Sequence, residues 1–258
     1  MKILITGYKG FIGQNMVNAL KDEHELSLYE FGDEPPDFEG LDWCIHLGAI
    51  SSTTETDVER IMRQNHDFTC MILIACQINH VNLQYASSAS VYGLVSSFRE
   101  DAPVSPQSPY AWSKYLVDRH VLNTKFDKIT VQGFRYFNVF GPHEDHKGDQ
   151  ASPYHKFKQQ ALATGKIQLF EGSDKYARDF VHVDKVIDVH KKFFNIKETG
   201  IWNVGTGNPV SFQHVAQEVA KKYNAKIEYI PMPENIAKQY QKYTCADLTK
   251  LKKTLGES

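Results

Sequence analysis

The stretch KILITGYKGFIG (Lys2–Gly13) sets a short β-branched run directly before Gly7, Gly10 and Gly13, each three residues from the next. Lys2–Thr6 reads as a strand and Phe11–Leu20 as the helix after it. Gly7 can turn tightly, Gly10 lets the backbone approach a pyrophosphate, and Gly13 lets helix and strand pack closely. The helix N-terminus then offers free N–H groups and a partial positive charge to phosphates. A turn of this kind can also close a strand–helix unit with no ligand. Its place at the head of an alternating α/β chain points to a dinucleotide cradle.

Outward from the turn, short apolar runs alternate with helical patterns, the signature of a parallel sheet with crossover helices. Glu25–Glu30 reads as a second strand and Trp43–Leu47 as a third. Between them Asp33–Gly40 is an exposed acidic loop. Thr54 reads as a helix N-cap with Asp57 three residues on, ahead of a helical pattern carrying Ile61, Phe68, Ile72 and Ala75. Leu83–Ala86 and Ile129–Phe134 are further strands, with a helix over Ser108–Leu122. The second half is less regular, with short strands at Gln168–Phe170, Phe180–Val183 and Ile227–Ile230. Its helices are expected near Asp184–Phe194, Phe212–Tyr223 and Ala246–Leu251. The expected fold is α/β, a Rossmann-type doubly wound parallel sheet with a small C-terminal α+β substrate lobe. Residues 1–142 plus 177–205 would form the dinucleotide-binding domain, and 143–176 plus 206–258 the substrate-binding lobe.

Composition removes several function classes. The 258 residues carry Lys+Arg 29 against Asp+Glu 31, a net charge of −2, with no long basic run to meet nucleic acid or an anionic membrane. No apolar stretch is long enough to cross a bilayer, and no signal-peptide h-region follows Met1-Lys2. The expected location is the cytoplasm. Cys44, Cys70, Cys76 and Cys245 form no CxxC pair and read as reduced thiols.

Tyr110 and Lys114 stand four apart on one helix face, where an ammonium near a phenol would lower the phenol pKa into a usable range. A YxxxK pair alone can be an exposed helix face. Here it follows Ser87-Ser88-Ala89-Ser90 at the end of a strand, where α/β sheets place ligands, so Ser88 can share a substrate hydroxyl with Tyr110. Glycine turn, strand-end serine and YxxxK in that order indicate hydride transfer at a carbinol. Glu30, ending the second strand, is placed to accept from a ribose 2′-hydroxyl and repel a 2′-phosphate. That favours NAD and leaves NADP open.

With these features the chain resembles the extended short-chain dehydrogenase/reductases. Consecutive segments are similar to the ADP-glyceromanno-heptose 6-epimerase family of that group: GAISSTTETD (Gly48–Asp57), YASSASVYG (Tyr85–Gly93), GFRYFNVFGP (Gly133–Pro142), HKGDQAS (His146–Ser152), LFEGS (Leu169–Ser173), RDFVHV (Arg178–Val183), NVGTG (Asn203–Gly207) and IEYIPMP (Ile227–Pro233). The resemblance implies a nucleotide-sugar epimerase that oxidises C6 of the heptose and returns the hydride to the opposite face. It makes Tyr110 one acid/base and Lys147, in HKG, the second. A solvated or phosphate-contacting loop lysine is the other reading of Lys147. The implied cofactor contacts are Phe11, Ile12, Glu30, Leu47, Gly48, Ala49, Ser51, Lys114 and Val139. The implied substrate contacts are Asn138, Phe170, Glu171, Gly172, Ser173, Arg178 and Tyr240, with a histidine falling at His155 or Lys156. The guanidinium fork of Arg178 suits a diphosphate, and an ion pair with Asp179 is the alternative. The partner is a nucleotide-activated sugar, and the chain is expected to be a homo-oligomer.

The chain departs from that family in places. Another strand and helix usually stand between the second strand and the GA-SSTTE segment, where only the acidic loop Phe31–Asp42 remains here. Asp149 occupies the position of a substrate-contacting serine. Ala89 and Ser90 stand where dehydratases carry an Asp-Glu pair, which disfavours dehydration. C4 epimerisation, reduction of a keto-sugar and non-catalytic NAD sensing are the rival readings. The His143, Glu144, Asp145, His146 cluster lacks the spacing of a metal site and reads as solvated loop. Phe134, Tyr136, Phe137 and Phe140 read as sheet core.

Overall fold

Alternation along β1 (Lys2–Thr6) sends Ile3 and Ile5 to one side of a sheet and Leu4 to the other, and all three are fully buried. Trp43 and Ile45 of β3 (Trp43–His46) follow Ile3 and Ile5, while Cys44 follows Leu4. A strand buried on both faces must be covered by helices on both, which is the condition for a parallel sheet. The computed structural model describes residues 1–233 and 241–257. In it, six parallel strands run in the order β10 (Gly200–Val204), β5 (Val131–Tyr136), β4 (Asn82–Ser88), β3, β1, β2 (Glu25–Tyr29). Helices α1 (Phe11–Leu20) and α6 (Val183–Phe193) cover one face through Met16, Leu20 and Ile187. Helices α3 (Phe68–Asn79) and α4 (Pro109–Asn123) cover the other through Ile72, Leu73, Val117 and Val121. Each buried Ile or Leu removes enough apolar surface from water to contribute about 1.5–3 kcal/mol. The fold is the doubly wound Rossmann type.

The chain leaves β1 for β2 on one side and comes back to β3 on the other. Strand order therefore reverses between the C-terminal ends of β1 and β3, where α/β sheets open a ligand crevice. β2 is the edge of the sheet, and no strand stands beyond it among the described residues. Residues 31–42 form no helix or strand and return the chain to β3. Phe31 closes the corner edge-on against Phe68, which stacks on Tyr29.

A second core lies off the C-terminal end of the sheet. Phe157 and Ala161 of α5 (Pro153–Thr164) meet Val215 and Val219 of α7 (Phe212–Tyr223). Ile167 and Leu169 of β7 (Lys166–Phe170) complete it, with β7 pairing in parallel with β12 (Lys226–Ile230). Two short pairs join this core to the sheet: β6 (Asn138–Phe140) with β9 (Phe180–His182), and β8 (Ala177–Arg178) with β11 (Val210–Ser211). Phe134, Tyr136 and Phe137 are buried, and Phe140 stacks on Tyr154 at 4.1 Å.

Two helix starts differ from the sequence expectation. Helix α2 (Val58–Ile61) is capped by Asp57, whose carboxylate accepts from Arg60 N at 2.9 Å, while the Thr54 hydroxyl pairs with Ser52. Glu55 has already taken the N–H groups of Thr56 and Asp57, so the helix cannot begin at Thr54. The last helix is α8 (Thr249–Leu255), three residues later than the expected start at Ala246. Ala246 N donates to Asp179 Oδ2, which holds that residue outside any helix, and Asp247 caps Thr249 N. No described helix is long and apolar enough to cross a membrane.

Candidate active site

The glycine turn packs as its spacing demands. Gly7 has φ +72°, and a Cβ there would sit 2.5 Å from Gly48 N. A Cβ at Gly13 would fall 2.1 Å from the Gly7 carbonyl oxygen, so the helix can approach the strand only without one. Gly10 is different, since its Cβ would meet one atom, Gly7 O at 3.3 Å. The protein's own packing thus explains two of the three glycines, and the third faces open space.

That space is a cavity of about 530 Å³ over the C-terminal ends of β1, β3 and β4. It brings together Gly7, Gly10, Phe11, Ile12, Gly13, Leu47, Ala49 and Ser51 from the expected cofactor set, with Tyr110, Lys114 and Lys147 from the expected catalytic set. Gly48 packs under Gly7. Glu30 sits at the outer end, where its carboxylate accepts from Lys9 N at 3.2 Å. Val139 is packed into the core beneath. Helix α1 starts at the cavity with no side-chain cap and no acidic residue in its first turn, so its N–H groups are available to an anion. Ser87, buried at 2% exposure, lines the same cavity with its hydroxyl unpartnered. An uncapped helix start and an open glycine fit a dinucleotide phosphate, and the free Ser87 hydroxyl offers a further polar contact in the same cavity.

Helix α4 delivers Tyr110 and Lys114. Ser108 caps it by accepting from Ala111 N, and Pro109 at N1 suits the fixed φ of a first helical residue. The expected Tyr–Lys coupling is not what the geometry shows. Burial pushes the Tyr110 phenol up, and the Ser88 hydroxyl is the group that pulls it back. Lys114 donates from Nζ to the Ala86 carbonyl at 2.8 Å, and burial pulls it down to about 8 against the opposing charge of Asp118. The ammonium is held by the strand end, so the phenol keeps its proton.

The Lys114 shift has a stability consequence. A lysine whose folded value is about 8 against an ordinary 10.5 leaves the native state stabler above 10.5, and that advantage is lost as pH falls through 8. At pH 7 the Lys114→Met protein should therefore melt a few degrees above the parent. The gap should close as pH approaches 10, measured by thermal unfolding across pH. A lower melting point at pH 7 would show that the Ala86 bond outweighs the buried charge.

Lys147 enters from the other side, on the short 3₁₀ segment Asp145–Gln150. Its side chain is 20% exposed, with Nζ 5.0 Å from the centre of the Phe11 ring and 4.0 Å from Glu144 Oε2. Burial lowers its pKa, and the Glu144 carboxylate opposes the fall. Glu144 corrects the expectation of a wholly solvated His143–His146 cluster. It is 1% exposed and accepts from Gly141 N, Ser152 N and Ser152 Oγ. Among the described residues no group of His, Cys, Asp and Glu converges on a metal position.

Of the expected substrate contacts, Phe170 and Ser173 line a second cavity of about 340 Å³ between α5 and β7. Ser173 is 3% exposed with its hydroxyl unpartnered. Lys156 joins this wall. His155 faces Asp145 at 3.9 Å on a neighbouring groove that Lys156 also lines. Glu171 and Gly172 are exposed in the turn after β7, and the Glu171 N–H bonds Ile230 O. Asn138 is exposed on β6. Arg178 donates to Ala177 O and lies over the Phe212 ring. The Asp179 carboxylate is taken up by Thr206 N, Thr206 Oγ1, Gly207 N and Ala246 N. Tyr240 lies outside the described residues.

The sequence pattern gave no sign of a buried polar chain under the cavity. Thr6 Oγ1 meets His46 Nδ1 at 2.6 Å, and His46 Nε2 meets Thr69 Oγ1 at 2.9 Å. The Thr69 hydroxyl spends its proton on the Asn65 carbonyl, so His46 Nε2 is the donor and the ring is neutral. Burial, and then Lys114, push His46 down to about 3. Asn65 stands in a π-helical stretch, Met62–Asp67, between α2 and α3. Its amide bonds the Ile50 N–H and carbonyl and the Ser113 hydroxyl. Widened helical turns of this kind recur at functional sites.

The family model that matches residues 32–205 is that of the NAD dependent epimerase/dehydratase family. An ADP-L-glycero-D-manno-heptose-6-epimerase of Brachyspira hyodysenteriae is 40% identical over 289 residues, covering 97% of this chain and 90% of the relative. The crystal structure of the Helicobacter pylori ADP-L-glycero-D-manno-heptose-6-epimerase superposes with a TM-score of 0.88 at 25% identity, covering 100% of this chain and 90% of that one. A UDP-N-acetylglucosamine 4-epimerase from Methanobrevibacter ruminantium shares the fold, with a TM-score of 0.88 at 22% identity over 98% of this chain and 91% of that one.

Proposed function

The chain belongs to the NAD dependent epimerase/dehydratase family, and from that membership we propose that it inverts one carbinol of a nucleotide-linked sugar, C6 of an ADP-linked glycero-manno-heptose. The observation that carries this reading is the meeting of Tyr110 and Lys147 in one cavity from two separate elements, above the glycine turn. NAD, when bound, would supply the hydride chemistry at the carbinol carbon. Inversion then needs a proton site on each face of that carbon, whereas a dehydrogenase needs one. Ser88 and Tyr110 are assigned to one face, holding the carbinol oxygen and its proton. Lys147 is assigned to the other. Lys114 keeps positive charge beside the cofactor ribose, and Glu30 selects the 2′-hydroxyl of NAD.

The cavity between α5 and β7 is assigned to the sugar nucleotide, with Phe170, Ser173 and Lys156 as its wall. We assign residues 143–176 and 206–258 to the substrate-binding lobe and 1–142 plus 177–205 to the cofactor domain, a division that the separate core under α5, α7 and β7 supports. Helix α8 departs from it, since Leu251 packs with Phe134, Trp202 and Val204 of the sheet. We also infer a homo-oligomer. Met71, Ile74 and Ile78 of α3 and Trp112 and Leu116 of α4 are exposed on helices that share one core cluster. A cytoplasmic location goes with a nucleotide-sugar substrate.

The test is NMR of purified protein with ADP-heptose. Interconversion of the C6 epimers without accumulation of NADH is the expected result. NADH formed in step with product would make the protein a dehydrogenase. Turnover of UDP-hexoses at C4 with none of ADP-heptose would move the site of inversion. Tight NAD with no turnover of any sugar nucleotide would make it a binding protein.

A further inference from the structure

We infer that Glu144 is the positioning residue of the Lys147 side of the site: its carboxylate clasps both ends of the loop that carries the lysine and supplies the negative charge facing Nζ. The inference rests on Lys147 being the second acid/base assigned above.

The segment from Gly141 to Ser152 leaves β6, crosses the mouth of the cavity and enters α5. The 3₁₀ stretch Asp145–Gln150 has backbone bonds of its own, among them Ala151 N to Gly148 O, but these run within the crossing. The Glu144 side chain joins its two ends. Oε1 accepts from Gly141 N at 3.1 Å and from Ser152 Oγ at 2.8 Å, while Oε2 accepts from Ser152 N at 2.6 Å. The two ends of the crossing are thus tied to one buried carboxylate, and Ser152 carries the tie onward as the N-cap of α5. The Glu144 carbonyl also accepts from Lys147 N at 2.9 Å, setting the turn on which the lysine stands. A carboxylate at 1% exposure is costly to bury unless its lone pairs are satisfied, and here they are.

Oε2 is then left 4.0 Å from Lys147 Nζ. Of the other charged groups around the cavity, Arg60 and Lys114 are engaged elsewhere, and His146 lines it from an exposed position. Arg60 pairs with Glu55 at 3.5 Å, and Lys114 is held by the Ala86 carbonyl. On the crossing itself Asp145 faces His155, while His146 and Asp149 are exposed. Glu144 is the group whose charge acts on Lys147, and it acts against the burial that lowers the lysine. A lysine that must hold a proton in one half of the turnover and release it in the other needs that balance.

The experiment measures pH–rate profiles in both directions for the parent, Glu144→Gln, Glu144→Asp and Lys147→Met. Glu144→Gln should move the alkaline limb down by about one pH unit in the direction where Lys147 donates, since a unit charge at this distance is removed. On the shifted limb kcat should fall by up to about tenfold, with KM for the sugar nucleotide within about threefold, and Glu144→Asp should recover part of the loss. A Glu144→Gln protein with the parent's limb and kcat, beside an inactive Lys147→Met protein, would overturn the inference and leave Lys147 in place. An active Lys147→Met protein would overturn the reading beneath it. Should Glu144→Gln fail to fold, Glu144→Asp decides, because its carboxylate is one carbon farther from Nζ. A partial downward move supports the inference and an unmoved limb overturns it.

Discussion

Tyr110→Phe should lower kcat for epimerisation by about 10²–10⁴-fold while the protein stays folded. The residue lies in the first turn of α4 at 9% exposure, and phenylalanine keeps the shape of the ring. What disappears is the proton that burial keeps on the phenol and the contact with the Ser88 hydroxyl. Tyr136 lines the same cavity, but its hydroxyl is bonded to His190 Nε2. Lys114 is tied to Ala86 O, and Lys147 stands at Phe11 on the far wall. Calorimetry should place the melting point within a few degrees of the parent, since one neutral hydrogen bond is worth about 0.5–1.5 kcal/mol. Combining Tyr110→Phe with Lys147→Met should cost little more than the worse single variant, because inversion needs both groups and either loss stops it. Additive losses would mean that the two act independently. A fully active Tyr110→Phe enzyme would remove the phenol from the chemistry.

How much of this was readable in the sequence depends on whether the cause is local. The glycine turn was, because the strand before Gly7 and the helix after Gly10 fix where each glycine must sit. The span of α4 was too, since the helical pattern over Ser108–Leu122 is contiguous and the observed helix runs Pro109–Asn123. The start of α8 was not. Ala246 is kept out of it by Asp179, sixty-seven residues earlier, and no local pattern carries that bond. Glu144 was misread for a related reason. A run of His, Glu, Asp and His has the composition of an exterior loop, and only the return of Ser152 against Gly141 buries the second of the four. The Tyr110 phenol was misjudged in its direction of shift. Helical spacing brings Lys114 near it, but spacing cannot show that the Ala86 carbonyl takes the ammonium or that both groups are buried.

Asn65 left no trace in the periodicity, and its removal should produce the other large effect. Asn65→Ala is expected to cost about 2–4 kcal/mol of folding stability in denaturant unfolding, and to weaken NAD binding at least about tenfold. Asn65 is fully buried. Alanine would leave the Ile50 N–H, the Ile50 carbonyl and the Ser113 hydroxyl each without the partner that the amide provides. Ile50 lies between Ala49 and Ser51, which line the cavity, and Ser113 Oγ donates to the Tyr110 carbonyl. One side chain therefore fixes the loop after β3 against the helix that presents the phenol and the lysine. The backbone carbonyl of Asn65, which the alanine variant keeps, ends the chain Thr69–His46–Thr6 that reaches Gly48 N beside the glycine turn. Asn65→Asp separates packing from hydrogen bonding. It keeps the volume and the acceptor for Ile50 N–H, but sets an acceptor against the Ile50 carbonyl and brings a charge into a buried site. It should be no better than alanine. An Asn65→Ala protein with the parent's stability and NAD affinity would mean that the loop is held by its neighbours. The widened turn at Met62–Asp67 would then have no part in shaping the cavity.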